Sequence, residues 1–131
     1  MDRDAGASRR SGALGEVRAE QLLRDKGYDI LAHNYVAPGA EIDLIARDGA
    51  VIVFVEVKTR TKSGASGREA VTREKQRRIC RGAIHYMIKH GLMGRQARFD
   101  VIEIQGTRVT HIVNAFPYQG PMVCRGRSFG G

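Results

Sequence analysis

The sequence has few cysteines and no long hydrophobic run. Its two cysteines, Cys80 and Cys124, form no CxxC pair, which favours free thiols over a disulfide framework or a cysteine-based zinc site. No apolar stretch reaches the length of a transmembrane helix. Residues 1–10 also lack the apolar centre of a signal peptide. These absences predict a cytoplasmic protein with no membrane partner.

Aromatic and histidine residues are also scarce and scattered. Aromatic residues make up 6% of the chain and do not alternate with basic ones, so stacking on the bases of a single strand is not indicated. Of the histidines, His85 and His90 come nearest to a ligand pair, but they miss the i, i+4 spacing that places two ligands on one helix face. All the histidines are therefore expected to be structural or surface residues.

The chain does contain enough apolar residues for one core and a surplus of positive charge. At 131 residues with 42% hydrophobic residues, a single domain is expected. Lysine and arginine number 22 against 14 acidic residues, a formal net charge of +8. That balance favours a polyanionic partner, with nucleic acid as the first candidate. A basic surface that only keeps the protein soluble fits the same charge.

Hydrophobic periodicity and turn residues predict an α/β fold in the order α-β-β-β-α-β-β, a mixed sheet flanked by helices. Residues 1–10 are expected to form a disordered leader, 11–118 a single domain and 119–131 a flexible basic tail. The predicted helices are 11–26 and 72–90, the predicted strands are 28–36, 41–47, 50–59, 98–105 and 109–115, and a basic loop covers 61–67.

The central hairpin carries the most informative residues. Asp48-Gly49 lies between two β-branched runs, a strong signal for a two-residue turn. Counting back from that turn, Asp43 lies opposite Phe54 and Glu41 lies opposite Glu56. Directly paired residues point to the same side of a sheet. One face is therefore predicted to hold Glu41, Asp43, Glu56 and Lys58, and the other Ile42, Leu44 and Ala46.

Three carboxylates on one face need compensating positive charge. Like charges opposite each other destabilise a sheet, and burying unpaired charge is costly. Lys58 supplies one positive charge, and a hard divalent ion would supply the rest, because carboxylate oxygens suit Mg²⁺ or Mn²⁺ better than zinc. The solvated face of an amphipathic hairpin fits the same spacing, although Ile45, Ile52 and Phe54 interrupt it. From the residues alone, both interpretations stay open.

The predicted second helix and the loop before it concentrate positive charge. The segment 68–98 holds far more basic than acidic residues, and a basic helix face beside carboxylates could hold phosphates near a metal. A solvated helix surface is the commoner reason for such a stripe. Gly82 inside this helix points to close packing. Asp100, on the fourth strand, is expected to be a structural partner for a nearby arginine.

The order of elements, with an aspartate on the second strand and Glu-x-Lys on the third, resembles the PD-(D/E)xK nuclease superfamily. More closely, the chain resembles the YraN-like family of small bacterial proteins, related to archaeal Holliday-junction resolvases. Ala40 departs from the resemblance, since the family commonly has glycine there. The matching segments, within 12–116, are Gly15-Glu16, Gly27-Tyr28, Glu41–Ile45, Val53–Arg60, Lys75-Gln76, Arg98–Val101 and Asn114–Phe116.

The resemblance implies a restriction-endonuclease-like fold and a metal-dependent endonuclease that hydrolyses DNA phosphodiester bonds, with branched or junction DNA as a substrate. Asp43 and Glu56 would bind Mg²⁺ or Mn²⁺ with Glu16 assisting, and Lys58 would orient or activate the attacking water. A homodimer is implied by analogy with the resolvases. A nucleic-acid-binding module that kept the fold without cleaving is the alternative. The expected nucleic-acid contacts are Arg60, Lys62, Lys75, Arg78 and Arg81, with Glu41 and Gln76 supporting the site.

Overall fold

A computed structural model describes residues 3–60 and 71–119 of the chain, with side chains from Leu14 onward. It confirms the predicted order α-β-β-β-α-β-β. The predicted basic loop, which includes Lys62, and the tail from residue 120 lie outside the described residues. The helices are α1 (Arg3–Asp25) and α2 (Arg73–Lys89), and the strands are β1 (Asp29–Ala37), β2 (Ala40–Asp48), β3 (Val51–Thr59), β4 (Ala97–Gln105) and β5 (Arg108–Phe116).

The strands form one mixed sheet in the order β1-β2-β3-β4-β5. β1, β2 and β3 are antiparallel neighbours, β4 runs parallel to β3, and β5 returns antiparallel to β4. A parallel neighbour needs a crossover connection, and α2 lies in it. Neither helix, within the part of the chain that is described, is long and apolar enough to cross a membrane.

Each face of the sheet has its own hydrophobic core, so the central strands are covered on both sides. Burying side chains of this size contributes about 1.5–3 kcal/mol each relative to exposure, which fixes the face that each strand residue takes. Cys80 is buried as a free thiol, as expected. The core under α1 contains Ala19, Leu23, Leu44, Ala46, Val53, Val55, Ile102 and Ile104, and the core under α2 includes Ile42, Ile45, Ile52, Phe54, Ile79, Ala83, Tyr86 and Phe99.

The turn of the central hairpin is displaced from the predicted one. Asp48 pairs with Val51, so the two turn residues are Gly49 and Ala50 rather than Asp48 and Gly49. Gly49, the first residue of the observed turn, has a positive φ of 64°, which glycine adopts without steric cost. The predicted pairings of Asp43 with Phe54 and of Glu41 with Glu56 are therefore wrong. Because the register moves by an even step, the β3 side chains keep their predicted faces.

The side-chain alternation of β2 is interrupted at Asp43. Ile42 belongs to the core under α2 together with Ile45, whereas Leu44 belongs to the core under α1. The prediction that Ile42 and Leu44 share a face is therefore wrong. The regular pairing of β2 with β3 reaches only as far as Leu44. Beyond it, the Val57 N–H donates to Oδ2 of Asp43 at 2.8 Å, so a side chain takes the place of a ladder carbonyl.

α1 begins at Arg3, earlier than the predicted residue 11. The added turns are rich in alanine and arginine, which are good helix formers. The helix lies close to β3, since a Cβ added at Gly15 would come within 2.9 Å of Oγ1 of Thr59. Leu14 and Val17, although apolar residues of this helix, are 61% and 62% exposed. Gly15 therefore sets how near α1 approaches the sheet.

α2 has Thr72 as its N-cap and makes the predicted close contact at Gly82. The Thr72 side chain accepts a hydrogen bond from the Lys75 N–H at 3.1 Å, which satisfies a free donor of the first turn. A Cβ added at Gly82 would lie 3.1 Å from Cδ1 of Ile42 and 3.3 Å from Cβ of Ala40. α2 is therefore held tightly against the beginning of β2, directly before Asp43.

A buried ionic network around Asp100 lies at the end of the sheet opposite to Asp43. Asp100 is completely buried and accepts hydrogen bonds from Arg98 Nε at 3.0 Å, His111 Nε2 at 2.8 Å and the Asn114 N–H at 2.8 Å. Lys26 donates to Nδ1 of His111 at 2.8 Å, which assigns His111 the neutral tautomer with its proton on Nε2. Burial favours a higher pKa for Asp100, but the three donors hold it below the ordinary value. The expectation that Asp100 partners an arginine is confirmed.

Replacing Asp100 by asparagine is expected to destabilise the protein by about 3 kcal/mol near neutral pH, because Arg98 would lose its buried partner. Asp29→Asn is the matched control, since Asp29 pairs with Arg47 at 2.6 Å but its side chain is 62% exposed; its cost should stay below about 1 kcal/mol. Urea unfolding measures both. Since the pKa of Asp100 is lowered, its contribution is present above pH ~3.9 and is lost as the pH falls further. Equal losses for the two variants would contradict a structural role for this network.

Candidate functional site

The predicted metal ligands Asp43 and Glu56 lie in one cavity of about 340 Å³. They meet where the regular pairing of β2 with β3 ends. The turn between β1 and β2 forms one wall of the cavity, and the first turns of α2 form another. The charged residues that line it are Glu41, Asp43, Glu56, Lys75 and Arg78.

Asp43 and Glu56 form an interacting pair of carboxyl groups, of which Glu56 is buried and Asp43 partly buried. Burial raises the pKa of Glu56 to about 7, with the negative charge of Asp43 adding to the effect. Burial also raises the pKa of Asp43, while the hydrogen bond from the Val57 N–H opposes the rise. Two adjacent carboxylates resist being ionised together. The pair therefore holds a proton at a pH where isolated carboxyl groups have lost theirs.

Lys75 provides the direct counter-charge to this pair. Its Nζ lies 3.2 Å from Oε2 of Glu56, and the Glu56 side chain is 9% exposed. The sequence placed Lys75 among nucleic-acid contacts, with no signal that it would reach the carboxylates. The reason lies in the tertiary structure, because the first turn of α2 lies beside Glu56 of β3 although the two residues are 19 positions apart in the chain.

Glu16 reaches the site from α1. Burial raises its pKa, and the charge of Asp43 raises it further, so the two carboxyl groups are close enough to interact. Its partner is the side chain of Asn34, a hydrogen bond that lowers the pKa. Asn34 has a φ of 50° in the middle of β1, a left-handed conformation that asparagine tolerates better than most residues. Sequence reasoning did not identify Asn34 as a site residue.

The carboxylates of the site suit a hard cation. The described residues contain no group of three or more His, Cys, Asp or Glu side chains already at metal-holding distances. Mg²⁺, however, commonly uses one or two protein carboxylates and completes its shell with water and substrate phosphates. Asp43 and Glu56 meet that requirement, and a cation would favour the charged forms that burial disfavours in both groups.

Lys58 lies on the same side of β3 as Glu56 but lines a neighbouring cavity of about 140 Å³ together with Gln76. Within the described residues its ammonium group makes no ion pair or hydrogen bond. Gln76 donates to the Val71 carbonyl at 2.8 Å, which ties α2 to the chain before it. Lys58 therefore provides a positive charge two residues along β3 from Glu56 that no described residue compensates.

The predicted nucleic-acid contacts fall into two groups. Arg78 and Arg81 are exposed on α2. Arg60 instead pairs with Glu103 at 3.0 Å and its side chain is only 8% exposed, so a phosphate contact would require this ion pair to open. The structure therefore favours α2 over Arg60 as the surface for a polyanion.

Replacing Glu56 by glutamine is expected to stabilise the metal-free protein at alkaline pH. The folded-state pKa of about 7 lies above the ordinary value of ~4.3. Between these values the folded protein keeps a proton that the unfolded chain has released, so wild-type stability falls as pH rises. Glutamine does not ionise, and Glu56→Gln should therefore gain about 1–3 kcal/mol over wild type on going from about pH 5 to about pH 8.

Urea unfolding in a chelator across this pH range measures the difference. Glu74→Gln makes the same chemical change at an exposed position of α2 and should follow the wild-type profile. A Glu56→Gln protein that loses stability with pH as steeply as the wild type would show that another group carries the slope.

Comparison with known proteins identifies the family of the chain. The model of the uncharacterised protein family UPF0102 matches residues 15–104, which include Glu16, Asp43, Glu56 and Lys58. A UPF0102 protein of Desulfosudis oleivorans is 46% identical over 108 residues, covering 80% of this chain and 88% of its own. One from Symbiobacterium thermophilum is 49% identical over 100 residues, covering 75% and 84%. One from Geobacter metallireducens is 47% identical over 111 residues, covering 80% and 90%. The chain belongs to the UPF0102 family.

Proposed function

We propose that the protein is a metal-dependent endonuclease that hydrolyses phosphodiester bonds in DNA. The observation that carries the proposal is the buried carboxyl pair of Asp43 and Glu56, with Lys58 following on the same side of β3. The order of helices and strands resembles the restriction-endonuclease-like fold of the PD-(D/E)xK nucleases, in which such residues belong to the active site. The resemblance to junction resolvases favours branched DNA as the substrate and a homodimer as the acting form.

Asp43 and Glu56 would hold Mg²⁺ or Mn²⁺, with Glu16 assisting from α1. The ion would lower the pKa of a water molecule and offset charge on the phosphate. Asp43 is positioned for this role by the hydrogen bond that it accepts from Val57 at 2.8 Å, which fixes one carboxylate oxygen. Glu56 is held by burial between the sheet and α2.

Lys58 would orient the attacking water and stabilise negative charge as it develops on the phosphate. A fixed positive charge is most effective where water is excluded and where no reorganisation is needed. The ammonium group has no competing ion pair among the described residues. Gln76 lines the same cavity and would support the position of the substrate there.

α2 offers a basic stripe that leads away from the carboxylates. Lys75 and Arg78 line the site, and Arg81 lines the adjoining cavity, which shares Ala37 with it. The three residues are spaced by three along the helix, so they span about 9 Å along its axis. Contacts of this kind position a nucleic acid by its backbone without reading its sequence.

The alternative is a binding module that keeps the fold and binds DNA without cutting it. One observation favours it: no group of three metal-ligating side chains stands ready among the residues the structure describes. The buried carboxyl pair argues for catalysis, because a protein that only binds an anion gains nothing from two carboxylates beside its basic stripe.

A cleavage assay separates the two functions. Purified protein with Mg²⁺ or Mn²⁺ is expected to cut branched or duplex DNA, and a chelator should abolish the activity. Asp43→Ala, Glu56→Ala and Lys58→Ala should each lower the cleavage rate by about 100-fold or more. Asp29→Ala and Lys89→Ala, at exposed positions, should leave the rate unchanged. Binding without cleavage would establish the module instead, and cleavage that survives all three substitutions would reveal a contaminating nuclease.

The basic stripe makes a separate prediction about binding. Arg78→Ala and Arg81→Ala should each weaken DNA binding to a similar degree for different sequences, and each should reduce the slope of log K against log salt concentration by about 1. Arg47→Ala is the control, because Arg47 is exposed at the far end of β2 and pairs with Asp29. Fluorescence anisotropy at several salt concentrations measures these slopes. A slope as steep as that of the wild type in both stripe variants would remove α2 from the proposed binding surface.

A further inference from the structure

Lys75 lies close both to the carboxylates of the site and to the place where DNA would bind under the proposed function. Its ammonium group lies 3.2 Å from Glu56, and its charge also lowers the pKa of Asp43. The same side chain lines the cavity beside Arg78, where a phosphate of the bound strand would lie under the proposed function. Lys75 can therefore serve as a counter-charge to the carboxylates or as a contact to DNA.

The charges in the cavity explain why Lys75 would take only one of these two roles at a time. Before a metal binds, Lys75 pairs with Glu56 at 3.2 Å, and its single charge can offset only one of the two carboxylates. A divalent cation would neutralise both carboxylates by itself. Lys75 would then be displaced from Glu56, and the DNA phosphate would compete for its charge with the exposed Glu41 that lines the same cavity.

The position of Lys75 permits such a change. Its backbone is fixed in the first turn of α2 by the Thr72 cap, whereas its side chain is 42% exposed. A lysine ammonium is a point charge on a flexible stem, so it can change partner without moving the helix. Glu56, with a 9% exposed side chain, cannot follow it into solvent.

We propose that Lys75 is an exchangeable counter-cation: it pairs with Glu56 until a divalent ion binds, and it then contacts the phosphate of the DNA strand. This inference rests on the proposed metal site and identifies Lys75 as the residue that regulates metal binding there. Lys75 opposes metal binding in the free protein and strengthens DNA binding in the metal-loaded protein, so metal and DNA binding are coupled through one side chain.

Isothermal titration with Mg²⁺ in the absence of DNA tests the first half. The titration is done at about pH 8.5, above the pKa of about 7 for Glu56, so that the carboxylates are ionised. Lys75→Gln should bind Mg²⁺ about 3-fold more tightly than wild type, the effect expected from losing a partly exposed ion pair. Arg77→Gln removes the same charge from an exposed position on α2 and should bind like wild type. Lys75→Arg, which keeps the charge, should also stay close to wild type.

DNA binding in the Lys58→Ala background, which is expected not to cut, tests the second half. Mg²⁺ should tighten the binding of a labelled DNA duplex to Lys58→Ala protein. When Mg²⁺ is added to the Lys58→Ala, Lys75→Gln double variant, the increase in DNA affinity should be smaller by about 3-fold or more. An Arg77→Gln change in the same background should leave the gain unaltered.

The outcomes separate the inference from the function on which it rests. Mg²⁺ affinities that are equal in Lys75→Gln and Arg77→Gln, or equal Mg²⁺-dependent gains in DNA binding, would overturn the role of Lys75 while leaving the metal site intact. A wild-type protein that binds no Mg²⁺, or a Glu56→Gln protein that binds it as well as wild type, would overturn the metal site and the inference together.

Discussion

The structure around the site depends on one unfavourable contact, the burial of Asp43 beside Glu56. Burial raises the pKa of both carboxyl groups, and the charge of Asp43 raises that of Glu56 further, so ionising both is costly. Contacts with the rest of the sheet hold both side chains in place. Val57 fixes Asp43 through a 2.8 Å hydrogen bond, and Glu56 directly follows Phe54 and Val55, which are fully buried. Neither side chain can leave without disturbing the sheet.

Close contacts between helices and sheet provide those constraints. At Gly82, the missing Cβ lets α2 rest on Ile42, whose side chain turns to the α2 face one position before Asp43. At Gly15, the missing side chain lets α1 approach β3 and brings Glu16 near Asp43. Small residues thus set the position of the charged ones. Interiors are close-packed, so an added methyl group at either glycine would shift a helix that carries a site residue.

The sequence predicted the order of elements and the faces of β3, because hydrophobic alternation and turn residues are local signals. It did not predict the turn at Gly49 and Ala50, since the type of a turn depends on how the strands twist as well as on its residues. It also missed Asn34 and the reach of Lys75 to Glu56. Both contacts join segments far apart in the chain, and no periodicity connects such segments. The proposed ligand residues could be named from the sequence because they form a motif, whereas their partners form none.

Two buried carboxylates in the same sheet show how structure separates a structural charge from a functional one. Asp100 receives three hydrogen bonds within 3.0 Å, and its pKa is lowered. Glu56 has a lysine at 3.2 Å and a second carboxyl group beside it, and its pKa is raised to about 7. A group that is fully satisfied by the protein has no need of a ligand. Perturbed, incompletely compensated groups in a cavity are typical of sites that bind something. The same physical test therefore assigns Asp100 a structural role. The charge of Glu56 is compensated by the protein only in part, through Lys75, which is the condition that the proposed cation site requires.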